Sequence, residues 1–364
     1  MAFPQLYPIR LSPVFKKKIW GKSDYSALYG NQVGGLEQVG EIWCNHDAPE
    51  GSTITNGSLE GRPFVQVMET LGEKLVGATW KFGRFPLILK FINTSQDLSI
   101  QVHPSDSYAQ KVENIPWGKT EAWFILEAEP GSRVLLGFKE SQTRAGIEQA
   151  LQEGRIHELV DSIPVKRGDV IFVPEGTIHA VGQGILLFEV QNNCDITYRL
   201  YDWERCDTYG RPRELHIDRG MDVLNLKPLS QTKVPRINLP FEGGAKDLLV
   251  ACQRFVMERI CTHLPYREEL TGETFVALTG INGVGRILTK NDDGGIADIA
   301  PGITVIIPAG LSEFTLEPEN GQVDCLKTYI TNSMDGFRRL LMADGVPEWR
   351  LSNGAGPLIF STDG

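Results

Sequence analysis

A partial internal repeat constrains the fold of this chain more than any other feature of its sequence. Residues 165–176 read VKRGDVIFVPEG, and much further along the chain 299–310 read IAPGITVIIPAG. Each copy has a glycine turn, an apolar run of strand length and a Pro-x-Gly turn. The copies lie too far apart for a solenoid repeat, so the pattern predicts two similar β domains. His179 aligns with Glu313 in the second copy, so the two copies do not share this histidine.

Short apolar runs bounded by glycine and proline indicate a mainly β chain. The 364 residues include 38 Gly and 21 Pro, spread along the sequence. The clearest strands are predicted at 87–92, 123–126, 170–173 and 185–188. Helical spacing is confined to 65–75, 142–160 and a short segment at 337–342.

The polar stretch at 227–240 is the predicted boundary between two domains. The predicted parts are an N-terminal domain at 1–232, a C-terminal domain at 233–332 and a C-terminal tail at 333–364. We expect the tail to pack against the second domain.

Charge and cysteine content argue against several classes of function. Lys and Arg number 36 against 46 Asp and Glu, which leaves a net charge of −10 and no excess of cations for nucleic acid. A single basic pocket for a small anionic substrate is compatible with this balance. The six cysteines lie far apart without a Cys-x-x-Cys pair, as in reduced cytoplasmic proteins. Neither a membrane span nor a signal peptide is expected from the apolar runs.

Polar side chains alternate with apolar ones in several segments. Along 98–103, Ser99, Gln101 and His103 share one face of a predicted strand. Similar polar positions recur in three further segments, at 119–121, 189–193 and 197–199. One such strand alone is better explained as a half-buried strand with a solvated face. Several together predict a small β-barrel with a polar pocket inside.

Four of these side chains make a nitrogen and oxygen set suited to a divalent metal. His103 and His179 offer imidazoles, and Glu121 offers a carboxylate. Gln101 adds an amide oxygen, and zinc fits the set best. Three protein ligands that leave a position for water or substrate are typical of a catalytic site. The alternative is that His103, next to Pro104, has only a structural role.

The segments around these residues resemble the type I mannose-6-phosphate isomerases, a family of zinc-dependent cupins. They are QVHP at 101–104, KTE at 119–121, PEGTIH at 174–179 and YRLYDW at 198–203. Further similar segments are PVFKKKIWG at 13–21, GEIW at 40–43, FPLILK at 85–90 and RELH at 213–216. The likeness covers about residues 10–330 and is strongest to the short bacterial form. It implies a mainly β fold of two cupin-like (jelly-roll) β-barrel domains with a few short helices, the first catalytic and the second metal-free.

The resemblance also implies roles for individual residues. The implied zinc ligands, for one ion per chain, are Gln101, His103, Glu121 and His179. The implied catalytic residues are Lys119, Glu189 and Arg199. Ser99 and Arg205 match positions near the substrate phosphate. Lys90, in an apolar run, is either a pocket residue or a lysine that reaches solvent from a strand end. Gly118 departs from the longer relatives, which often carry His there.

The chemistry of the implied reaction explains these residue types. Moving a carbonyl between C1 and C2 of a sugar removes a proton beside that carbonyl and forms an enediolate. Zinc and the guanidinium of Arg199 would stabilise its negative charge. Either Lys119, with a lowered pKa, or Glu189 can carry the proton between the two carbons. Arg199 also has a structural alternative, an ion pair with Asp195 or Asp202.

The sequence therefore predicts a cytoplasmic zinc isomerase that interconverts mannose 6-phosphate and fructose 6-phosphate. We expect a small sugar phosphate as its ligand, with no nucleic acid or membrane partner, and the sequence indicates no oligomeric state. Two alternatives stay open. One is another metal-dependent cupin enzyme, such as an iron dioxygenase, although those usually present more histidines. The other is a non-catalytic sugar-phosphate-binding cupin, which would not need the complete set of residues.

Overall fold

The computed structural model describes residues 5–30, 37–79, 83–206, 209–290, 295–352 and 357–358. These residues form a mainly β structure, as the sequence predicts. The strands of the first part are β1 (Ile9–Leu11), β2 (Val14–Lys17), β3 (Val39–Trp43), β4 (Leu87–Asn93), β5 (Ile100–Val102), β6 (Glu121–Ala128), β7 (Arg133–Phe138), β8 (Val160–Pro164), β9 (Val170–Val173), β10 (His179–Val181), β11 (Ile185–Asn192) and β12 (Tyr198–Tyr201). Those of the second part are β13 (Ile237–Phe241), β14 (Gly244–Ala251), β15 (Val256–Thr262), β16 (Tyr266–Glu269), β17 (Val276–Asn282), β18 (Gly285–Leu288), β19 (Ile296–Ile299), β20 (Thr304–Ile307), β21 (Glu313–Pro318) and β22 (Val323–Tyr329).

The helices are short and lie between or after the strands. They are α1 (Ser26–Tyr29), α2 (Phe64–Leu71), α3 (Glu73–Val76), α4 (Asp106–Tyr108), α5 (Arg144–Gln152), α6 (Ile156–Leu159), α7 (Ile217–Val223) and α8 (Met334–Ala343). Single turns of tighter or wider helix occur at Gly57–Leu59, Ala109–Glu113 and Glu348–Leu351. Within the described residues, no helix has the length and apolarity that crossing a membrane requires.

The two halves of the chain repeat one arrangement of strands. In the first half, the sheets have the orders β2-β3-β4-β11-β6-β9 and β12-β5-β10-β7-β8. In the second half, the orders are β13-β14-β15-β22-β17-β20, extended by β1, and β16-β21-β18-β19. The ladders within these sheets are antiparallel. Each half is therefore built from two antiparallel sheets, the cupin-like architecture that the resemblance implies.

The strand register shows that the internal repeat is structural. Ile171 of β9 lies opposite Trp123 of β6. Val305 of β20 lies opposite Leu278 of β17. Ile171 and Val305 occupy the same position in the two copies of the sequence repeat. Positions in the two barrels therefore correspond one to one along these strands.

The halves share a strand and a core. β1 pairs with β20 of the second barrel, with Ile9 opposite Ile306. The largest apolar cluster extends through both halves, and within it the rings of Phe85 and Phe275 lie 4.4 Å apart. The division of the chain between residues 232 and 233 stays a prediction.

Two of the predicted helices are each broken in the structure. The segment 142–160 forms α5 and α6, which are separated at Gly154 with φ of +67°. Glycine adopts a positive φ at little cost, so the helix ends there although the apolar spacing continues. The segment 65–75 likewise forms α2 and α3 rather than one helix.

Helix α8 and the segment after it cover one face of the second barrel. Phe337 and Leu341 of α8 are buried in a cluster with Leu248 and Val256 of the sheet. The predicted helix at 337–342 is therefore confirmed, as part of a longer one. The rest of the predicted tail, at 353–356 and 359–364, lies outside the described residues.

The shared core predicts that the halves unfold together. Phe275→Ala removes a fully buried ring between them, and we expect it to lower the free energy of unfolding by about 3–5 kcal/mol. The exposed Leu340→Ala is the control, with a change within about 0.5 kcal/mol. Urea denaturation followed by fluorescence measures both. A loss below about 1 kcal/mol for Phe275→Ala would contradict the shared core.

Candidate metal centre and active site

The two sheets of the first barrel bring the four predicted ligands together. Gln101 of β5 lies in register between Arg199 of β12 and His179 of β10. His103 follows two residues later, so it faces the same side as Gln101. Glu121 begins β6 and comes from the other sheet.

The four ligands meet at their nitrogen and oxygen atoms. Glu121 Oε1 lies 3.3 Å from His179 Nε2, and Glu121 Oε2 lies 3.6 Å from His103 Nε2. The ligand atoms of these three residues are all within 4.8 Å of one another. Gln101 Nε2 is 3.2 Å from His179 Nε2, and a half-turn of the amide would present the oxygen instead.

Backbone carbonyls fix which imidazole nitrogens face this cluster. His103 Nδ1 is 2.9 Å from the carbonyl oxygen of Ile196, and His179 Nδ1 is 2.9 Å from that of Thr177. A carbonyl only accepts, so each Nδ1 carries the proton and each Nε2 is bare. Burial lowers the pKa of His179 to about 4 and that of His103 well below its usual value. Both rings are neutral near pH 7 and can bind a metal without first losing a proton.

Unpaired buried atoms show that the cluster fits a cation. His103 Nε2 and Glu121 Oε1 have no hydrogen-bond partner among the described residues. Leaving a buried polar atom unpaired costs about 1–3 kcal/mol. A divalent ion between these atoms would satisfy both, and two imidazoles with a carboxylate match the donors that zinc prefers.

Two buried lysines and two buried glutamates alternate beside the cluster. Lys119 Nζ is 2.8 Å from Glu121 Oε2 and 4.0 Å from Glu189 Oε1, and Lys90 Nζ is 3.2 Å from Glu189 Oε1. Burial alone would lower the pKa of Lys119, but the two carboxylates outweigh it and raise the pKa. Burial and Glu189 compete in the same way at Lys90, whose pKa is also raised. Both lysines are therefore protonated, and Lys90 is a paired residue of the pocket wall rather than one that reaches solvent.

A polar cavity of about 270 Å³ opens onto these groups. The predicted site residues that line it are Lys90, Ser99, Gln101, Lys119, Glu121, Glu189 and Arg199. Four further charged residues line it: Lys18, Glu41, Asp195 and Arg213. Such a lining suits a small, hydrophilic and charged ligand.

The RELH segment, rather than an ion pair, holds Arg199 in the wall. Arg199 Nη1 donates to the carbonyl oxygen of Glu214 at 2.7 Å. The backbone N–H of Arg199 donates to His216 Nδ1 at 3.2 Å, and the N–H of His216 donates to the Arg199 carbonyl at 2.7 Å. Within the described residues, no ion pair joins Arg199 to Asp195 or Asp202, so the structural alternative for this arginine is not observed.

Arg213, and not the predicted Arg205, lines the cavity. Arg205 is not among the residues that line the cavity, and its Nη2 is 2.6 Å from Asp202 Oδ1. The same oxygen is 3.1 Å from Nη1 of Arg213, which does line the cavity. Arg213 begins the RELH segment of the family resemblance, but nothing in its spacing indicates that a loop returns it to the pocket.

Corresponding positions in the second barrel carry different side chains. By strand register, Val276 takes the place of Glu121, since their partners Ile307 and Val173 occupy the same position in the two copies of the repeat. Glu313 takes the place of His179. In the part of the chain that the structure describes, only the His103, Glu121 and His179 group has three potential ligands so arranged.

Comparisons with known proteins identify the family of this chain. Residues 9–121 match the family model for phosphomannose isomerase type I, catalytic domain. The mannose-6-phosphate isomerase ManA of Bacillus subtilis is 31% identical over 329 residues, which cover 89% of this chain and 99% of that protein. A mannose-6-phosphate isomerase of Streptococcus mutans is 37% identical over 227 residues, covering 62% and 70%. The crystal structure of the mannose 6-phosphate isomerase from Bacillus subtilis has a TM-score of 0.79 and 29% identity, covering 88% of this chain and 99% of that one.

Removing one imidazole is expected to abolish metal binding. His103→Ala deletes a neutral nitrogen that faces Glu121, so bound divalent metal falls from about one ion per chain to under a tenth, since a ligand is lost outright. Elemental analysis after dialysis measures it, with the exposed His263→Ala as control. Full metal content in His103→Ala would remove this residue from the ligand set.

Stability of the metal-free protein is expected to depend on pH through the same imidazoles. The folded pKa of His179, about 4, lies below the ordinary value of 6.5, so the unfolded chain binds more protons between these values. Stability is then greatest above pH 6.5 and is lost as the pH falls towards 4. Chemical denaturation across this range measures the slope, which His179→Gln should reduce. An unchanged slope in that variant would refute the assignment.

Proposed function

This chain belongs to the type I phosphomannose isomerase family, and we propose that it is a zinc-dependent isomerase that interconverts mannose 6-phosphate and fructose 6-phosphate. The observation that carries the proposal is one cavity lined by a potential metal ligand, a buried lysine–glutamate pair and an arginine. Binding alone does not need this combination, whereas moving a proton between two carbons does.

The residues that would hold zinc are His103, Glu121 and His179, with Gln101 as the fourth ligand. Zinc, when bound there, supplies Lewis-acid stabilisation of the negative charge that develops on the sugar. The donor atoms of His103, Glu121 and His179 alone would also suit iron, because two histidines and a carboxylate bind the metal in iron oxygenases. The lysine–glutamate pair and Arg199 favour isomerase chemistry instead.

We assign the proton transfer to Glu189 and Lys119. Glu189 lines the cavity. Its Oε1 makes an ion pair with Lys90 Nζ at 3.2 Å but no geometrically aligned hydrogen bond among the described residues, while its Oε2 accepts from Trp123 Nε1 at 3.1 Å. This carboxylate takes the proton from C2 and returns it to C1. Lys119, kept protonated by its two carboxylate neighbours, supplies positive charge beside the enediolate; it would give a proton to O1 and take the hydroxyl proton of O2, so that it ends protonated as it began.

The substrate phosphate would bind at the cationic side of the cavity. Arg213 and Ser99 line the cavity and would contact the phosphate, whereas Arg199, which also lines it, would stabilise the charge of the enediolate. Arg205 would contribute indirectly, because it shares the Asp202 carboxylate with Arg213 and so helps to fix that side chain. A cytoplasmic location stays a prediction, which the six free cysteines support.

Substitution of the proposed base tests the mechanism. Glu189→Gln keeps the shape but cannot accept the proton, so we expect the rate to fall about 10²–10⁴-fold. Exchange of the C2 hydrogen with deuterated solvent, followed by NMR, should fall by the same factor. Lys119→Met should slow turnover, and the exposed Glu127→Gln is the control.

Zinc dependence is tested in a coupled assay of mannose 6-phosphate isomerisation, with and without chelator and added zinc. For the Glu189→Gln variant, full exchange of the C2 hydrogen with solvent would mean that another residue is the base. A wild-type protein with bound zinc and no turnover of mannose 6-phosphate would refute the proposed activity.

A further inference from the structure

We infer that Asp106 is a positioning residue for Lys119 and Glu121, and that Arg254 of the second half fixes it in place. The inference rests on the proposed function, because it concerns the segment that carries one proposed metal ligand and one proposed catalytic lysine. It gives the second half a role in catalysis, although none of its described residues belongs to the His103, Glu121 and His179 group.

Residues 104–120 connect two parts of the site, and we call this connection the closed excursion. It leaves the first sheet at His103 and returns to the facing sheet at Glu121. At the neck of this excursion, the N–H of Lys119 donates to the carbonyl oxygen of Pro104 at 3.0 Å. The N–H of Gly118 donates to Asp106 Oδ1 at 2.8 Å. These two bonds set where Lys119 and Glu121 enter the cavity.

Backbone packs directly against backbone at this neck. A Cβ on Gly118 would lie 2.3 Å from the carbonyl oxygen of Pro104 and 2.6 Å from the nitrogen of Asp106. Both neighbours are main-chain atoms, so no side-chain rotation could relieve the contact. These contacts require glycine at this position, and they show how closely the two ends of the excursion are held.

The second half supplies the charge that orients Asp106. Arg254 Nη2 lies 2.7 Å from Asp106 Oδ2, the oxygen that does not bind Gly118. Arg254 sits in the turn between β14 and β15, where the N–H of Cys252 donates to the carbonyl oxygen of Phe255 at 2.9 Å. Phe255 is fully buried in the core that both halves share. The guanidinium therefore projects from a fixed turn onto the carboxylate.

The opposite side of the same segment is held within the first half. The N–H of Thr120 donates to Asn192 Oδ1 at 3.2 Å, and the N–H of Asn192 donates to the Thr120 carbonyl at 3.3 Å. Asp106 therefore holds Gly118, and Asn192 holds Thr120, the residues on either side of Lys119. A misplacement of about 1 Å in a catalytic group can cost 10²-fold in rate. These hydrogen bonds therefore matter more for rate than for stability.

Graded variants test the role of Asp106. Asp106→Asn and Arg254→Gln each lose the ion pair but keep an acceptor for Gly118, whereas Asp106→Ala loses both. We expect kcat to fall about tenfold in the first two and about 10²-fold in the third, with KM within about twofold, since positioning rather than binding is lost. Arg254→Lys, which restores a cation, should recover activity. Arg219→Gln, which removes an ion pair to Glu113 of the same excursion, is the matched control.

Hydrogen exchange separates this inference from the proposed function. Mass spectrometry of the peptide that contains residues 117–121 should show exchange about tenfold faster in Arg254→Gln than in wild type or Arg219→Gln, because local opening becomes easier. The pair is 32% and 28% exposed, so the melting temperature should change little. Unchanged exchange, or a lower melting temperature with unchanged kcat, would overturn the positioning role. If the wild type does not isomerise sugar phosphates but the exchange result holds, only the proposed function fails.

Discussion

The buried carboxylate of Glu121 is the constraint around which the first barrel is organised. Two bare imidazole nitrogens lie within 3.6 Å of its oxygens, and Lys119 approaches from the other side. An ionised carboxylate buried in this way is costly unless positive charge compensates it. One lysine shared with Glu189 compensates only in part, and a cation held by the proposed ligands would complete the balance. Both histidine tautomers turn a bare nitrogen towards this carboxylate, and the closed excursion at Gly118 sets where Glu121 enters the cavity.

The two barrels share one arrangement of strands, but among the described residues only the first carries the candidate metal site. Both halves keep one strand order, which shows that the scaffold tolerates different inward side chains. Where the first barrel pairs Lys90 with Glu189 across β4 and β11, the second pairs Glu258 with Lys327 across β15 and β22, with the charges exchanged. Lys327 is 2.9 Å from Glu258, and both are almost fully buried. The second barrel thus pairs this buried lysine and glutamate with each other, while its Arg254 pairs with Asp106 of the first half.

Local periodicity predicts those parts of the fold that local chemistry determines. The strands at 170–173 and 185–188 follow from short apolar runs bounded by turn residues. The stripe at Gln101 and His103 follows from alternation, because successive side chains in a strand point to opposite faces. The alternation fails at Leu98, which packs with Trp20 and Trp123 inside the barrel instead of with Ile100.

Contacts between distant segments leave no such pattern. Arg213 reaches the cavity through an ion pair with Asp202, and Arg254 reaches Asp106 from the other half of the chain. The pairing of β1 with the second barrel is equally long in range. Each of these contacts depends on how two folded segments pack together. The local sequence pattern of one segment does not indicate which distant segment it contacts.

X-ray absorption spectroscopy of the zinc-loaded protein would identify the metal ligands themselves. We expect a four-coordinate shell of two imidazole nitrogens and oxygen donors at about 2.0–2.2 Å, with no sulfur. Replacement of Glu121 by Gln should remove an oxygen donor or the metal itself. A shell that contains sulfur at about 2.3 Å, or one without two imidazoles, would contradict the account, because the ion would then lie elsewhere in the molecule.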